Sequence, residues 1–154
     1  MAVSVQSAWI DAEHVIFDAI VAHMQDVRGA SAYLGDLPPG LVDCWALTTG
    51  GGAADQTWGG CFGTLIVDGE ITGRWQDRED AQRFGGRLFE LLQANKNFNQ
   101  IRNVQWFRFA GGGMPRVFND TFIPANQPTT SQKAYKCTSF MAAFQMVYNT
   151  SKEY

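Results

Sequence analysis

Histidines, cysteines, acid clusters and glycine-rich turns are where a chain of this size would carry chemistry, and spacing tests each of them. His14 and His23 stand nine residues apart. On a helix that spacing is half a turn out of phase, so the two do not share one metal. His23 falls within the apolar stripe of its segment and reads as a hydrogen-bonded core histidine, whereas His14 reads as solvated or at an interface. Cys44, Cys61 and Cys137 have neither metal nor redox spacing and lie in apolar surroundings, the setting of reduced, buried thiols. Glycine runs at 50–52, 59–60 and 111–113 are not followed by Gly-Lys-Ser or Gly-Lys-Thr, and none has dinucleotide spacing, which argues against a phosphate cradle. No serine sits in a Gly-x-Ser-x-Gly elbow. Asp77, Glu79 and Asp80 form an acidic cluster, but the positive end of a helix collects acids in its first turn without any catalytic role. Carboxylate pairs of the glycosidase kind meet only in the fold. The expectation is no catalytic residue, no cofactor and no metal.

The elements that must position any site follow from hydrophobic periodicity. Ser4 or Ser7 caps a helix running to about Val27, with Val5, Ala8, Trp9, Ala12, Ile16, Ala19, Ile20 and Val27 on one face. Ile10, Phe17, Val21 and Met24 fall on the other side, leaving a narrow polar strip at Asp11, His14 and Asp18. A helix apolar nearly all round is usually buried on both sides. Residues 29–40 read as a connection, 41–48 as a strand and 58–67 as the next strand. Asp68-Gly69 between alternating runs predicts a hairpin over Thr64–Thr72, the alternative being one long ribbon with a glycine bulge. A second helix starts at Asp77 and ends near Asn95, with Ala81, Phe84, Leu88, Leu91 and Leu92 as its stripe. Strands at 100–109 and 134–148 follow, separated by a long loop at about 110–134. The fold class is α+β: a mixed or antiparallel sheet of about five strands packed by two helices, in the order α-β-β-β-α-β-β.

One domain accommodates 154 residues, and 45% apolar with 13% aromatic residues excludes a disordered, collagenous or coiled-coil chain. Charged residues are only 18%, which leaves a small domain short of solvated surface and points to burial in an assembly. Net charge is −3, the wrong sign for a sequence-specific nucleic-acid reader. No apolar run reaches the roughly 20 residues of a membrane span, and the first residues lack a signal-peptide pattern, so a cytoplasmic origin and no membrane are expected. The charge is segregated. Residues 1–73 hold nine acids and one base, net −8, and residues 74–154 hold eleven bases and six acids, net +5. Complementary patches of that kind suit a head-to-tail contact between copies.

Helical projection of the second helix puts Gly86 opposite its apolar stripe and Phe89 at the edge, although a helical glycine costs about 1 kcal/mol against alanine. With Ile10, Phe17 and Val21 of the first helix they form a candidate subunit interface. Gly111, Gly112, Gly113, Met114 and Arg116 form a candidate contact loop toward further partners.

The segments Thr64-Leu65-Ile66-Val67, Ile71-Thr72-Gly73-Arg74-Trp75 and Asp77-Arg78-Glu79-Asp80-Ala81, the last opening a helix with Leu88, Leu91 and Leu92, together resemble the tail terminator proteins of long-tailed bacteriophages. The closing run Phe140–Tyr148 is similar to that family's last strand, and the resemblance in element order covers most of the chain. It implies a homo-oligomeric ring, usually a hexamer, that caps the tail tube, ends its polymerisation and joins the head connector. Expected partners are therefore other copies of the chain, the major tail tube protein and the connector or neck proteins, in the virion at the head-tail interface. Neighbouring neck or tail-completion ring proteins are the nearest alternative. A different class of reading is a small-ligand-binding α+β domain with a pocket under the 110–134 loop, anchored by Trp106, Arg108 and Arg116.

Overall fold

From Leu65 to Trp75 every second residue is apolar or glycine, and from Phe140 to Tyr148 the same period returns with Phe140, Ala142, Phe144, Met146 and Tyr148. A period of two puts each set on one face of a strand, and both sets line the core in the computed structural model. The structure describes residues 5–25, 27, 31–50, 53–56, 62–92, 101, 103–110, 114–128, 130 and 132–149. Its elements in chain order are α1 (Val5–His23), β1 (Ser31–Leu34), β2 (Cys44–Thr49), β3 (Ala53–Gln56), β4 (Phe62–Trp75), α2 (Arg78–Leu92), β5 (Val104–Phe109), β6 (Arg116–Phe122) and β7 (Tyr135–Asn149).

The fold is α+β, with a mixed sheet ordered β1-β2-β4-β7-β5, β3 added to β4 and β6 added to β7. Among the described residues there are seven strands where about five are expected, because two expected strands are one, β4, and three more lie in stretches read as connections: β1 in 29–40, β3 after the 50–52 glycines, and β6 inside the 110–134 segment, which is therefore not a continuous loop. Every pairing is antiparallel except β1 with β2. Strands β4 and β7 form the spine, in unbroken register from Thr64↔Asn149 to Trp75↔Thr138.

The expected hairpin at Asp68-Gly69 does not form. Both residues are paired within the sheet, Gly69 with Thr49 on one side and Phe144 on the other, and neither has the positive φ of a two-residue hairpin turn. The long-ribbon alternative is the observed one, with no register shift at the glycine. Gly69 is small because the Phe144 ring lies across it: a Cβ there would sit 2.4 Å from Phe144 Cζ.

Both helices cover one face. The ring of Trp45 on β2 packs against Phe17 of α1 at 5.3 Å and Phe84 of α2 at 5.7 Å, and Phe84 meets Trp75 and Phe140. Such tilted and edge-on pairs add to simple burial. On α1 the core stripe is Ala8, Ala12, Ile16, Ile20 and Met24, so Met24 is buried where the outer side was expected. Trp9 and His23, expected inside, are exposed. Because α1 is apolar nearly all round, periodicity alone could not choose its inner face. Helix α2 begins as read: Asp77 Oδ1 accepts from the Glu79 amide at 3.1 Å, an N-cap that satisfies an otherwise unpaired donor. Its expected end near Asn95 lies outside the described residues.

Parallel strands usually need a crossover of a dozen or more residues, yet only residues 35–43 join β1 to β2. Positive φ at Gly35 (99°), Gly40 (76°) and Asp43 (57°) makes the tight path. At its outer bend the Gly40 carbonyl accepts from the Ala125 amide at 3.2 Å, with no room between them for a Cβ.

Candidate interaction surfaces

Among the described residues, no helix lies on the sheet face opposite α1 and α2. Odd-numbered residues of β7 and even-numbered residues of β4 and β6 point that way, joined by Trp106 and Arg108 of β5. Near its β2 end, Arg74 reaches over this face and donates through Nη1 to the carbonyls of Leu41 (2.9 Å) and Pro38 (3.2 Å), strapping the 35–43 connection down. Arg74 Nε, like Trp45 Nε1 in the core, is buried and has no hydrogen-bond partner among the described residues. Beside it, Asp120 accepts from Ser139 Oγ and from the Thr121 amide, both at 2.8 Å, and these bonds, the Ser139 one foremost, hold the Asp120 carboxyl below its usual range. Burial pushes the thiols of Cys44 and Cys137 up, the inert state of a structural cysteine. Cys61 lies outside the described residues.

Farther along the same face a polar ladder crosses three strands. Gln145 Nε2 donates to Asp68 Oδ1 at 3.0 Å and Arg108 Nη2 reaches Gln145 Oε1 at 3.4 Å, with the Arg108 guanidinium 5.1 Å from the Trp106 ring centre. Arg116 stands 5.8 Å over Phe118. Such cation–aromatic pairs hold a cation at the surface above an apolar plane. Trp106, Met141 and Met114 are exposed around them, at 39%, 46% and 64%.

Residues of the expected subunit interface are divided between surfaces. Ile10 is 53% exposed on α1, next to Trp9 at 41%. Trp9 is held in place: its Nε1 donates to Thr49 Oγ1 at 2.8 Å, and that hydroxyl donates to the Glu13 carboxylate. Phe17, Val21 and Phe89 are half-buried and pack on the core, so their apolar character is largely accounted for within one chain. Gly85 is buried, its Cβ position 3.2 Å from the Phe140 ring, whereas nothing stands within 4 Å of the Gly86 position. Of the expected contact loop, Met114 and Arg116 are exposed and Gly111, Gly112 and Gly113 lie outside the described residues.

Among the described residues, none of the depressions on this side of the molecule is lined by Trp106, Arg108 and Arg116 together. An open depression of about 330 Å³ is lined by Arg108 with Asp68, Ala110, Ala143 and Gln145, but by neither Trp106 nor Arg116. Two adjoining depressions, about 390 and 440 Å³, share Gln76, Phe122, Pro124 and Asn126. Both histidines are exposed, and among the described residues no three His, Cys, Asp or Glu side chains gather closely enough to hold a metal. Among them too, no helix is long and apolar enough to cross a membrane. The residues that sequence reasoning passed over are Arg74 and Trp9. Arg74 carried one signal, as the first base after nine acids in an outward strand position.

No protein-family model matches the chain, and no curated protein matches it.

Proposed function

We propose that this chain is a structural ring protein of a long-tailed bacteriophage, a tail terminator that caps the tail tube, ends its polymerisation and meets the head connector. One observation carries the reading beyond the sequence resemblance. Large apolar side chains stay exposed on two separate surfaces, Trp9 and Ile10 on α1 and Trp106, Met114 and Met141 on or beside the bare sheet face. Scattered exposed apolar groups are ordinary, but here they stand beside the acids Asp11, Glu13 and Asp18 on α1 and beside Arg108 and Arg116 on the sheet face, where the acids Asp68 and Asp120 are already hydrogen-bonded. Two unlike patches on one chain fit a heterologous contact, which closes into a ring when the rotation permits. The function rests on shape and contact rather than bond chemistry. Native mass spectrometry and negative-stain microscopy test it directly: the expected species is a closed ring of about six copies, in solution or on the end of isolated tail tubes. A chain that stays monomeric at every concentration and ignores tubes defeats the proposal.

A further inference from the structure

Among the exposed residues of α1 beyond its first turn, Ile10, His14, Asp18 and Ala22 form a ridge at a spacing of four, the kind of row that packs into grooves of a partner, with Trp9 and His23 exposed beside its two ends. Asp11, Glu13 and Asp18 give the helix three acids, and it contains no lysine or arginine. The opposite balance holds in the last third of the sheet. From Val104 to Asn149 the described charges are Arg108, Arg116, Lys133 and Lys136 against the single acid Asp120, which is already engaged by Ser139 and Thr121. Two acids of β4 border this region, Asp68 beneath Gln145 and Glu70 beside Ala143, both partly buried and one strand farther in.

The dimensions agree as well as the charges. Arg116 pairs with Met141 and Arg108 with Gln145, so the two guanidinium-bearing positions are about 13 Å apart along β7 at about 3.3 Å per residue. Asp11 and Asp18 are about 10 Å apart along α1 at 1.5 Å per residue. The outward row of β7 from Met141 to Val147, where Trp106 pairs, runs about 20 Å. The α1 ridge from Ile10 to Ala22 runs about 18 Å.

Resting on the ring reading above, we infer that the outer side of α1, tipped by Ile10 and carrying Asp11 and Asp18, docks on the Trp106–Arg108–Arg116–Met141 strip of a second copy of this chain. The Arg116 end of the 110–134 segment then meets a neighbouring subunit rather than the tail tube. Each copy offers both surfaces, so every contact leaves one free ridge and one free strip for the next.

Two doubly substituted chains test the pairing, each altered at exposed positions. His14→Arg with Asp18→Arg removes the net acidity of α1 and makes its exposed ridge basic, and Arg108→Glu with Arg116→Glu reverses the strip. Each chain alone should need more than about tenfold higher concentration to assemble than the unaltered protein, with an unchanged melting temperature. Mixed one to one, the two should recover assembly, because each supplies the partner for the other's reversed surface. Raising the salt should weaken the unaltered assembly and narrow these differences. If the unaltered chain forms rings and either variant alone forms them equally well, or if the mixture stays dissociated, the pairing is wrong while the ring reading stands. A strip variant that forms normal rings but no longer binds tubes also overturns it, assigning the strip to the tube. A monomeric unaltered chain that ignores tubes removes both.

Discussion

Replacing Gly69 by alanine puts one methyl group where the spine of the sheet has no room for it. The Cβ would lie 2.4 Å from Cζ and 2.7 Å from Cε1 of Phe144, and 2.7 Å from the carbonyl oxygen of Thr48. The carbonyl belongs to β2, which is paired with β4 at this point, so it cannot withdraw without breaking the ladder. The ring cannot simply turn aside either, because it is stacked on Phe107 at 5.1 Å and 20°. Inserting a methyl into a packed core costs about 1–3 kcal/mol, and two blocked directions put this case at about 3 kcal/mol. For a domain of this size that lowers the melting temperature by about 6–12 °C. Thermal and urea unfolding followed by circular dichroism will measure it, together with Phe144→Leu and the double variant. Removing the ring relieves only part of the clash, so the cycle should show a coupling of about 1 kcal/mol, with the Thr48 carbonyl accounting for the remainder. A Gly69→Ala chain within about 0.5 kcal/mol of the unaltered protein would refute the packing argument and reopen a turn at this position.

Gly86→Ala should raise stability by about 1 kcal/mol, since the position is helical and nothing stands within 4 Å of an added Cβ, and an unchanged melting curve would mean the glycine is not costing the helix its usual penalty. Arg74→Met keeps the stem but deletes the donors to Pro38 and Leu41, so a loss of about 2 kcal/mol is expected with faster proteolysis within 35–43; unchanged cleavage there would show that the strap restrains nothing. The bonds that lower the Asp120 carboxyl stabilise the fold above the unfolded acid range, and that contribution is lost as the pH falls through the folded value. The melting-temperature gap between the unaltered chain and Ser139→Ala should therefore be present at neutral pH and shrink in acid, by little because the exposed carboxyl is screened, whereas a gap constant with pH would assign the loss to packing.

What could be read in advance was what is decided locally. Helix α2 has its cap at Asp77 and its stripe at Ala81, Phe84 and Leu88 within a dozen residues, and a strand ending at Phe109 shows its aromatic alternation on its own. The turn reading outweighs the ribbon at Asp68-Gly69 in the sequence because the reason for the small residue, the ring of Phe144, stands seventy-five residues later. An Asp-Gly pair is a turn signal only where nothing across the sheet requires the glycine. Helix α1 presented two apolar sides of nearly equal weight, and only the aromatic pocket around Trp45 decides that Ile16, Ile20 and Met24 go in while Trp9 stays out. The same ambiguity divided the candidate interface: Ile10 and Gly86 face outward, whereas Phe17 and Phe89 are drawn against the core by partners that no local pattern names. Strand β1 was invisible because four residues in parallel pairing leave no periodic trace.

The spine has a consequence for how the molecule is made. Strand β7 comes after every other element in chain order, yet it pairs with β4, β5 and β6. During synthesis, β2, β3 and α2 can gather on β4, but the other long edge of β4, with Leu65, Val67 and Ile71 beside it, waits unpaired for almost the whole chain to emerge. An open, apolar strand edge is a template for pairing with another nascent chain, and contacts this distant in sequence close slowly. Yield from a fast expression system should therefore be governed by that waiting time, with cooler, slower synthesis favouring the correct partner strand over a neighbouring copy.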